Sequence, residues 1–350
     1  KIELDLAKLE KIELDLDSIE KIVQSLKDDI KKIFTISDAI EADKKAFMLL
    51  AEKKCEVPLR TKILNKKDNG CFIFMPAYSE QAECAALKIV NVFPDNVKIG
   101  LSAHPSQVFL INPHTGVIEA LIDGTYVTAL RTGAASGLAF KLFAKKECSI
   151  GAIIGTVGQA LCQIQAMLAV RQLKEVRVCG RDFKHTEAFV KIVRHELEDS
   201  SVSIRAVKTA DEAVEDADLL ISATPSNLPV FDAGRLKDGI TVSCIGSYRP
   251  DMQELDPKIF KRCKKIYFDS KSAVLEESGD IIIPFRNGTI KEKDFTGDIG
   301  EYLLGRIPGR ENDDEIIVFK SVGVAVQDLV TAGEIYRRAV EKGIGTECIF

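Results

Sequence analysis

Residues Ile154 to Gln163, which read IGTVGQALCQ, place glycines at the start of a predicted helix. A dinucleotide-binding turn usually reads G-x-G-x-x-G or G-x-G-x-x-A, and Gly155 and Ala160 match its first and last positions. Val157 stands where the second glycine belongs, and Gly158 follows it directly. Because a β-branched residue is strained at positive φ, we predict that the permissive position has moved by one residue, to Gly158. We interpret the turn as a modified cofactor loop, with an ordinary strand-to-helix turn as the alternative.

The residues after the next predicted strand bear on the choice of nicotinamide cofactor. That strand, EVRVC, ends in Cys179-Gly180-Arg181-Asp182. An acid about 20 residues beyond the first glycine usually binds the ribose hydroxyls of NAD, whereas an arginine accommodates the 2′-phosphate of NADP. Arg181 therefore favours NADPH, and Asp182 keeps NADH open. The competing interpretation is that Arg181 is an ordinary solvated surface charge.

Composition disfavours other kinds of site. The nine cysteines occur without a C-x-x-C pair, and none of the four histidines is spaced as a metal ligand. We predict no metal site and, since no disulfide framework is indicated, a reducing cytoplasmic setting. The 53 acidic and 48 basic residues are evenly mixed, which argues against nucleic acid binding. No apolar run is long enough to span a membrane, and no signal peptide is apparent.

A parallel sheet is needed to position the cofactor loop, and the sequence predicts one. The short apolar run SIGAIIG is followed by a helical pattern, QALCQIQAMLAVRQL, and then by the strand candidates EVRVC, SVSIRAV, DLLISAT, GITVSCIG and KKIYFDS. This alternation is typical of an α/β fold with a Rossmann-type, doubly wound parallel sheet.

An α+β region is predicted before this sheet. A helix in SDAIEADKKAFMLLAEKK, capped by Ser37 or Asp38, precedes strands in CFIFMPAY, ALKIVNVFP and QVFLINPHTGVIEALID, the last with a hairpin turn at 112–116. The segment KIELDL occurs at Lys1 and again at Lys11, which is too few copies for a solenoid. A long helical pattern, GVAVQDLVTAGEIYRRAVEKG, is expected to return the chain to this region.

Several segments together resemble the ornithine cyclodeaminase and mu-crystallin family. They are VPLRTKI, ALKIVNVFPDN, ALIDGTYVTALRTGAASGLA, the loop itself, SATPSNLPVF, CIGSYRPDMQELD, GEYLLGRIPGR and FKSVGVAVQDLVTA, in family order. The resemblance implies a homodimer with two domains per chain. Residues 131–320 are expected to form the NAD(P)-binding Rossmann domain, and residues 1–130 with 321–350 the substrate-binding and dimerisation domain.

The resemblance assigns three cationic side chains to the substrate. The family's carboxylate-binding arginines fall on Arg60 and Arg131, and a guanidinium presents paired donors that match a carboxylate. The family's active-site lysine falls on Lys88, which is unusual inside the apolar run ALKIVNV because lysine is rarely buried without a partner. Burial and nearby arginines are expected to lower its pKa, which suits proton transfer at a C=N bond. Val322 and Gly323 complete the predicted substrate site.

One departure from the family's pattern concerns the second predicted catalytic residue, Tyr248. Cyclodeaminases carry an aspartate in this stretch, whereas tyrosine offers no carboxylate base at neutral pH. Arg249 makes the region less suited to a diamine, and Asp251 is the alternative carboxylate. The predicted cofactor site comprises Thr132, Gly155, Thr156, Val157, Gly158, Gln159, Arg181, Thr224, Ile245 and Gly246.

These residues and the family resemblance leave three alternative functions. The first is reduction by NADPH or NADH of a cyclic imine that carries a carboxylate, such as pyrroline- or piperideine-2-carboxylate. The second is conversion of ornithine to proline and ammonia with catalytic NAD. The third is a non-catalytic, NADPH-dependent binding protein, against which the retained Arg60, Lys88 and Arg131 count. The expected partners are a small carboxylate-bearing imine or amino acid and a second copy of the chain.

Overall fold

The computed structural model describes residues 27–156, 158–198 and 200–346, so the KIELDL repeat and Val157 lie outside the described residues. Residues 27–33 are helical, and helix α1 spans Ile36–Ala51. Its cap is Thr35, so the predicted cap at Ser37 or Asp38 is wrong. The Thr35 hydroxyl accepts a hydrogen bond from the Asp38 amide, and the Asp38 carboxylate accepts one from the Thr35 amide. Asp38 is therefore the third residue of a capping box.

Five antiparallel strands follow α1 and form the first sheet in chain order. They are β1 (Thr61–Asn65), β2 (Gly70–Ser79), β3 (Cys84–Val92), β4 (Ser106–Ile111) and β5 (Ile118–Asp123). The predicted turn at 112–116 joins β4 to β5, because the Asn112 amide donates to the Val117 carbonyl and Gly116 has φ +74°.

The two faces of the antiparallel sheet differ in what covers them. Helices α2 (Gly124–Phe143) and α9 (Ala325–Lys342) pack against the inner face, which includes Met75, Lys88 and Val108 in register. Neighbouring residues on each strand point the other way. The outer face is mostly apolar, with Asn91 and Gln107 as polar members. Among the described residues, no helix or strand packs over this face. Its apolar residues are Ile63, Phe72, Leu87, Ile89, Phe109, Ile111, Ile118 and Leu121.

Eight parallel strands form the second sheet, in the order β12-β11-β13-β10-β9-β6-β7-β8. They are β6 (Ile150–Ile154), β7 (Glu175–Cys179), β8 (Ser203–Ala206), β9 (Leu219–Ser222), β10 (Thr241–Cys244), β11 (Cys263–Phe268), β12 (Gly297–Asp298) and β13 (Ile316–Lys320). The connecting helices are α3 (Ala160–Val170), α4 (Phe183–Glu196), α5 (Ala210–Val214), α6 (Lys271–Glu277), α7 (Gly279–Arg286) and α8 (Ile299–Leu303).

Both faces of the parallel sheet are covered by apolar cores. Along β6, Ala152 and Ile154 belong to one buried cluster, whereas Ile153 belongs to another on the opposite face. The strand order reverses between β6 and β9, which is where open α/β sheets form a crevice at the carboxyl ends of their strands. The predicted fold class, a Rossmann-type parallel sheet together with an α+β region, is confirmed.

Helix α2 runs across the predicted domain boundary at residues 130 and 131. It contacts strands of both sheets, β3 and β4 in the first and β10 and β13 in the second. The division into two domains therefore stays a prediction, with α2 as the element shared between them. None of the helices within the described ranges has the length and apolar character needed to cross a lipid bilayer.

Candidate active site

Lys88 and Arg131 meet at a third residue, Asp328, in the interior between the two sheets. Lys88 lies on the inner face of β3, Arg131 in α2 and Asp328 in the first turn of α9. The Lys88 Nζ is 2.7 Å from Asp328 Oδ2, and the Arg131 Nε donates to Asp328 Oδ1 over 3.1 Å. The side chains of Lys88 and Asp328 are each only 1% exposed, so water screens this ion pair very little. One carboxylate thus bridges two cations.

Burial and the neighbouring charges together set the protonation of this cluster. Burial is the largest influence on Lys88, and together with the positive charge of Arg131 it lowers the pKa of the ammonium to about 7, against the opposing effect of the Asp328 carboxylate. Burial alone would raise the pKa of Asp328, but the charges of Lys88 and Arg131 outweigh it and lower that pKa. The result is a firmly ionised carboxylate beside an ammonium that can release its proton near neutral pH.

Arg60 is connected to Arg131 by the loop that follows β13. The Arg60 Nη2 donates to the carbonyl oxygens of Val322 and Gly323. Gly323 has φ +77°, and a methyl group built on it would overlap Nη1 of Arg131 and lie 3.0 Å from its Cζ. Only a residue without a side chain fits there. The two predicted carboxylate-binding arginines therefore flank one short loop, whose members Val322 and Gly323 were also predicted for the substrate site.

This loop is held from beneath by Asp269, which follows β11. Its Oδ2 accepts hydrogen bonds from the Ser321 hydroxyl at 2.7 Å and from the amides of Val322 and Gly323 at 2.9 and 2.7 Å. Burial raises the pKa of Asp269 despite these donors. Asp269 therefore fixes the backbone that contacts both guanidinium groups.

A carboxylate already lies against Arg60. Glu277, the last residue of α6, places Oε2 3.0 Å from Arg60 Nη2 and Oε1 3.1 Å from Lys62 Nζ. The side chain of Glu277 is buried and that of Arg60 nearly so. This contact joins the segment before β1 to the parallel-sheet region through a buried guanidinium–carboxylate pair.

The predicted cofactor loop lies at the crevice where the strand order reverses. Gly155 has φ +119°, and a methyl group on it would overlap the carbonyl oxygen of Ala223 after β9. Gly158 has φ +45° and no atom within 4 Å of an added methyl group. It is thus in the left-handed region and faces open space, as expected of a residue that lets a phosphate approach the backbone. The amino end of α3 follows immediately at Ala160.

Three further predicted cofactor residues lie after β9 and β10, at the same edge. A methyl group on Gly246 would overlap the backbone of Thr224, so the two connections run in contact. Both are held by Glu254, which accepts hydrogen bonds from the Thr224 amide and from the Ser247 amide. Ile245 is buried directly before Gly246. The ends of β9 and β10 therefore form one rigid rim.

Thr132 offers a hydrogen-bonding hydroxyl to a ligand beside this rim. The backbone carbonyl of Thr132 accepts a hydrogen bond from Gln163 Nε2 of α3, so this residue lies next to the predicted loop. Its hydroxyl is buried, and among the described residues it has no hydrogen-bond partner. A buried hydroxyl without a partner is unfavourable in isolation. Together with the open backbone at Gly158, this fits a dinucleotide lying along the crevice. Thr156 and Gln159 are half-buried in the same loop.

Arg181 and Asp182 differ in how they are used. The Asp182 carboxylate accepts a hydrogen bond from the His185 amide at 2.7 Å and caps α4. Arg181 is exposed and makes no ion pair with any residue that the structure describes. One carboxylate oxygen of Asp182 is therefore committed to the helix, whereas the guanidinium of Arg181 is available.

Tyr248 lies after β10, half-buried, and burial raises the pKa of its phenol. It brings no carboxylate to the site. Asp251 is exposed and pairs with the neighbouring Arg249 at 3.1 Å. In the described part of the chain, no group of three or more His, Cys, Asp or Glu side chains could hold a metal ion.

Sequence reasoning missed the acidic members of the site: Asp328, Glu277 and Asp269. Asp328 had a detectable signal, since it is an acid inside the apolar stretch GVAVQDLVTA of a predicted helix. Asp269 follows β11 and Glu277 ends α6, and both resemble ordinary surface acids in sequence. Only the fold brings them to Arg60 and to the loop at Ser321–Gly323.

Comparison with known proteins finds similarity over nearly the whole chain. The model of the ornithine cyclodeaminase/mu-crystallin family matches residues 20–343. A Delta(1)-pyrroline-2-carboxylate reductase from Bacillus cereus is 34% identical over 91% of this chain and 97% of its own length. A solved structure of the Thermococcus litoralis Delta(1)-pyrroline-2-carboxylate reductase, in complex with NADH and L-proline, has a TM-score of 0.87 and 39% identity over 92% of this chain and 98% of that one. An archaeal alanine dehydrogenase dimer with bound NAD has a TM-score of 0.84 and 33% identity over 92% and 97%.

Proposed function

This chain belongs to the ornithine cyclodeaminase/mu-crystallin family, and from that premise we propose that it is an NAD(P)H-dependent reductase of a cyclic imine that carries a carboxylate, with Δ1-pyrroline-2-carboxylate as the first substrate to test. The similarity to reductases of that compound extends over nearly the whole chain. The observation that carries the proposal is the buried Lys88, whose pKa lies near 7 between a carboxylate and a guanidinium.

Each residue of the site has a distinct part in the proposed reaction. Arg60 and Arg131 bind the substrate carboxylate and orient the ring. The Lys88 ammonium donates a proton to the imine nitrogen, which makes the adjacent carbon more electrophilic. When bound, the nicotinamide supplies the hydride that this carbon accepts. The product is a secondary amine with a carboxylate, and Lys88 regains its proton from solvent. Tyr248 would act as a neutral hydrogen-bond donor toward the substrate.

The cofactor would be held along the crevice between β6 and β9. Gly155, Thr156, Gly158 and Gln159 would surround the pyrophosphate at the amino end of α3, together with Val157, which lies outside the described residues. Thr132 would offer its unpartnered hydroxyl. The rim formed by Thr224, Ile245 and Gly246 would border the nicotinamide end, nearest the substrate loop.

The decisive experiment is a paired assay. Purified protein is incubated with NADH or NADPH and either pyrroline-2-carboxylate or piperideine-2-carboxylate, and oxidation of the nicotinamide is followed by absorbance. Turnover of either imine supports the proposal, and the ratio of the two kcat/KM values gives the preferred ring size. In parallel, ornithine is supplied with NAD+. Proline and ammonia from that reaction, without imine turnover, would replace the proposal by cyclodeamination. The absence of a carboxylate at Tyr248 favours the reductase.

We further propose that Arg181 binds the 2′-phosphate of NADPH. Replacing it with alanine should weaken NADPH binding about tenfold, because a charge-assisted hydrogen bond is lost, while NADH binding changes less than about twofold. Nucleotide affinity is measured by fluorescence titration. Lys191→Ala, an exposed cation further along α4, is the matched control. Equal effects of Arg181→Ala on both nucleotides would contradict this role.

We also propose that a second copy of the chain covers the outer face of the antiparallel sheet. That face is largely apolar, a feature that soluble monomers rarely expose over a large area, and an archaeal relative is described as a dimer. Leu121, 55% exposed on β5, lies in this row opposite Phe109. Leu121→Asp should halve the mass measured by sedimentation equilibrium, because a buried unpaired carboxylate is strongly unfavourable. Leu228→Asp, at a site that is 73% exposed and away from this face, should leave the mass unchanged. A native chain that sediments as a monomer would refute the proposal.

The eight cysteines within the described ranges are all free thiols. We propose a reducing, cytoplasmic setting, in which disulfides are rare.

A further inference from the structure

The proposed reaction needs an ammonium that stays protonated in a buried place, and two neighbours of Lys88 oppose that. Lys88 points from β3 into the space between α2 and α9 and is almost completely buried. Desolvation disfavours the charged form, and so do the guanidinium groups of Arg131 and Arg60. Without a counter-charge, these influences would remove the proton from the Lys88 ammonium, which must deliver it to the substrate.

Asp328 is the residue that counters them. Its Oδ2 lies 2.7 Å from the ammonium, and its Oδ1 accepts from Arg131 Nε. This geometry uses only the Nε of Arg131. The described residues make no hydrogen bond to its two terminal nitrogens, which are the ones that bind a carboxylate side by side. One acid thus holds the proton donor and the carboxylate clamp at a fixed separation while leaving both free to act on a substrate.

Other charged groups reach Lys88 only indirectly. Asp43 of α1 accepts a hydrogen bond from Gln327 Nε2, and Gln327 also donates to the Arg131 carbonyl. Burial raises the pKa of Asp43 well above its ordinary value, and its carboxyl contacts Gln327 rather than Lys88. Asp269 lies beneath the substrate loop, where it accepts backbone hydrogen bonds. Met75 and Val108 lie opposite Lys88 on the neighbouring strands. No inner-face residue of β2 or β4 is acidic.

We propose that Asp328 is a positioning residue that keeps Lys88 protonated and aimed at the substrate, so that it sets the upper pH limit of the reaction. The expected effect on the reaction rests on the proposed function. The expected effect on the protonation of Lys88 does not. Removing the carboxylate would leave the ammonium beside Arg131 with no counter-charge. The pKa of Lys88 would then fall further, and the proton donor would be lost at a lower pH.

The test compares Asp328→Asn with Asp43→Asn. Both replace a fully buried acid by its neutral isostere within the same cluster, but only the first touches Lys88. In Asp328→Asn, the alkaline limb of the kcat/KM profile should move down by about 1 to 3 pH units. Activity lost at neutral pH should then be partly recovered in more acidic buffer. Asp43→Asn should keep the native profile, because Asp43 is linked to the cluster only through Gln327 and does not contact Lys88. A uniform loss at every pH with an unmoved limb would show a purely structural role and overturn the proposal.

Two further measurements separate this inference from the proposed function and from misfolding. Carbon-13 NMR of lysine labelled at Cε, with the Lys88 signal identified by its loss in Lys88→Met, follows the titration of Lys88 whether or not any imine is reduced. A signal that titrates at the same pH in Asp328→Asn and in the native protein overturns the proposal. Asp328→Glu retains the charge and covers the case in which the asparagine variant does not fold. It should titrate within about half a pH unit of the native protein, and a fall as large as that expected for asparagine would also overturn the proposal.

Discussion

Lys88→Met should lower kcat/KM for the imine about 10²- to 10⁴-fold, the usual contribution of a positioned proton donor. Methionine has a similar length and no charge, so the space on β3 stays filled. In the native protein, kcat/KM should fall as the pH rises through about 7, since the donor is active only while protonated and its pKa lies there. The variant should lose that alkaline limb together with most of its rate.

The control for this prediction is Lys141→Met, which removes an exposed lysine paired with Glu41 on the surface of α2. Exposed pairs contribute little to stability, so this variant should keep native kinetics. Nucleotide binding and thermal unfolding are recorded for both variants to separate chemistry from folding. A Lys88→Met protein that kept more than about a third of the native kcat/KM would exclude Lys88 as the proton donor.

Gly323→Ala should reduce kcat/KM for the imine about 100-fold, mainly through KM, because the new methyl group must displace the Arg131 guanidinium that it would overlap. Shifts of about 1 Å in a substrate-positioning group have effects of this size. The variant also suffers backbone strain, since φ is +77° at this position. Strain alone would lower stability without changing substrate binding.

Gly343→Ala separates these two effects. Gly343 has φ +61°, but no atom lies within 4 Å of an added methyl group. It ends α9 far from the loop at Val322 and Gly323. Both alanine variants should lower Tm, because φ is positive at both positions, whereas only Gly323→Ala should raise KM. If KM rose equally in both, or in neither, the contact between Gly323 and Arg131 would not govern substrate binding.

The sequence was sufficient to predict the parallel sheet because its strands are short apolar runs separated by helical patterns. It did not predict β13, which inserts between β10 and β11 out of chain order. That placement depends on pairing between distant segments, and local patterns carry no information on it. The helix cap was wrong for a related reason. Thr35 and Asp38 are both good caps, and only the reciprocal hydrogen bonds decide which one begins α1.

The site was predictable where a residue conflicts with its surroundings. Lys88 interrupts an apolar strand, and the resemblance to a known family gave it a role together with Arg60 and Arg131. Their partners Asp328 and Glu277 were not found, because each pairing joins residues about two hundred positions apart. Periodicity shows which face of an element is buried, but it does not show which charges share the buried space.

Lys88 stands between Leu87 and Ile89, and those two side chains point to the face we expect a second chain to cover. A slip of one residue between β3 and its neighbours would exchange the sides. The ammonium would then be driven into the contact between chains, and leucine or isoleucine would fill the place of the proton donor. A misregistered chain would therefore be defective in assembly and in chemistry at once.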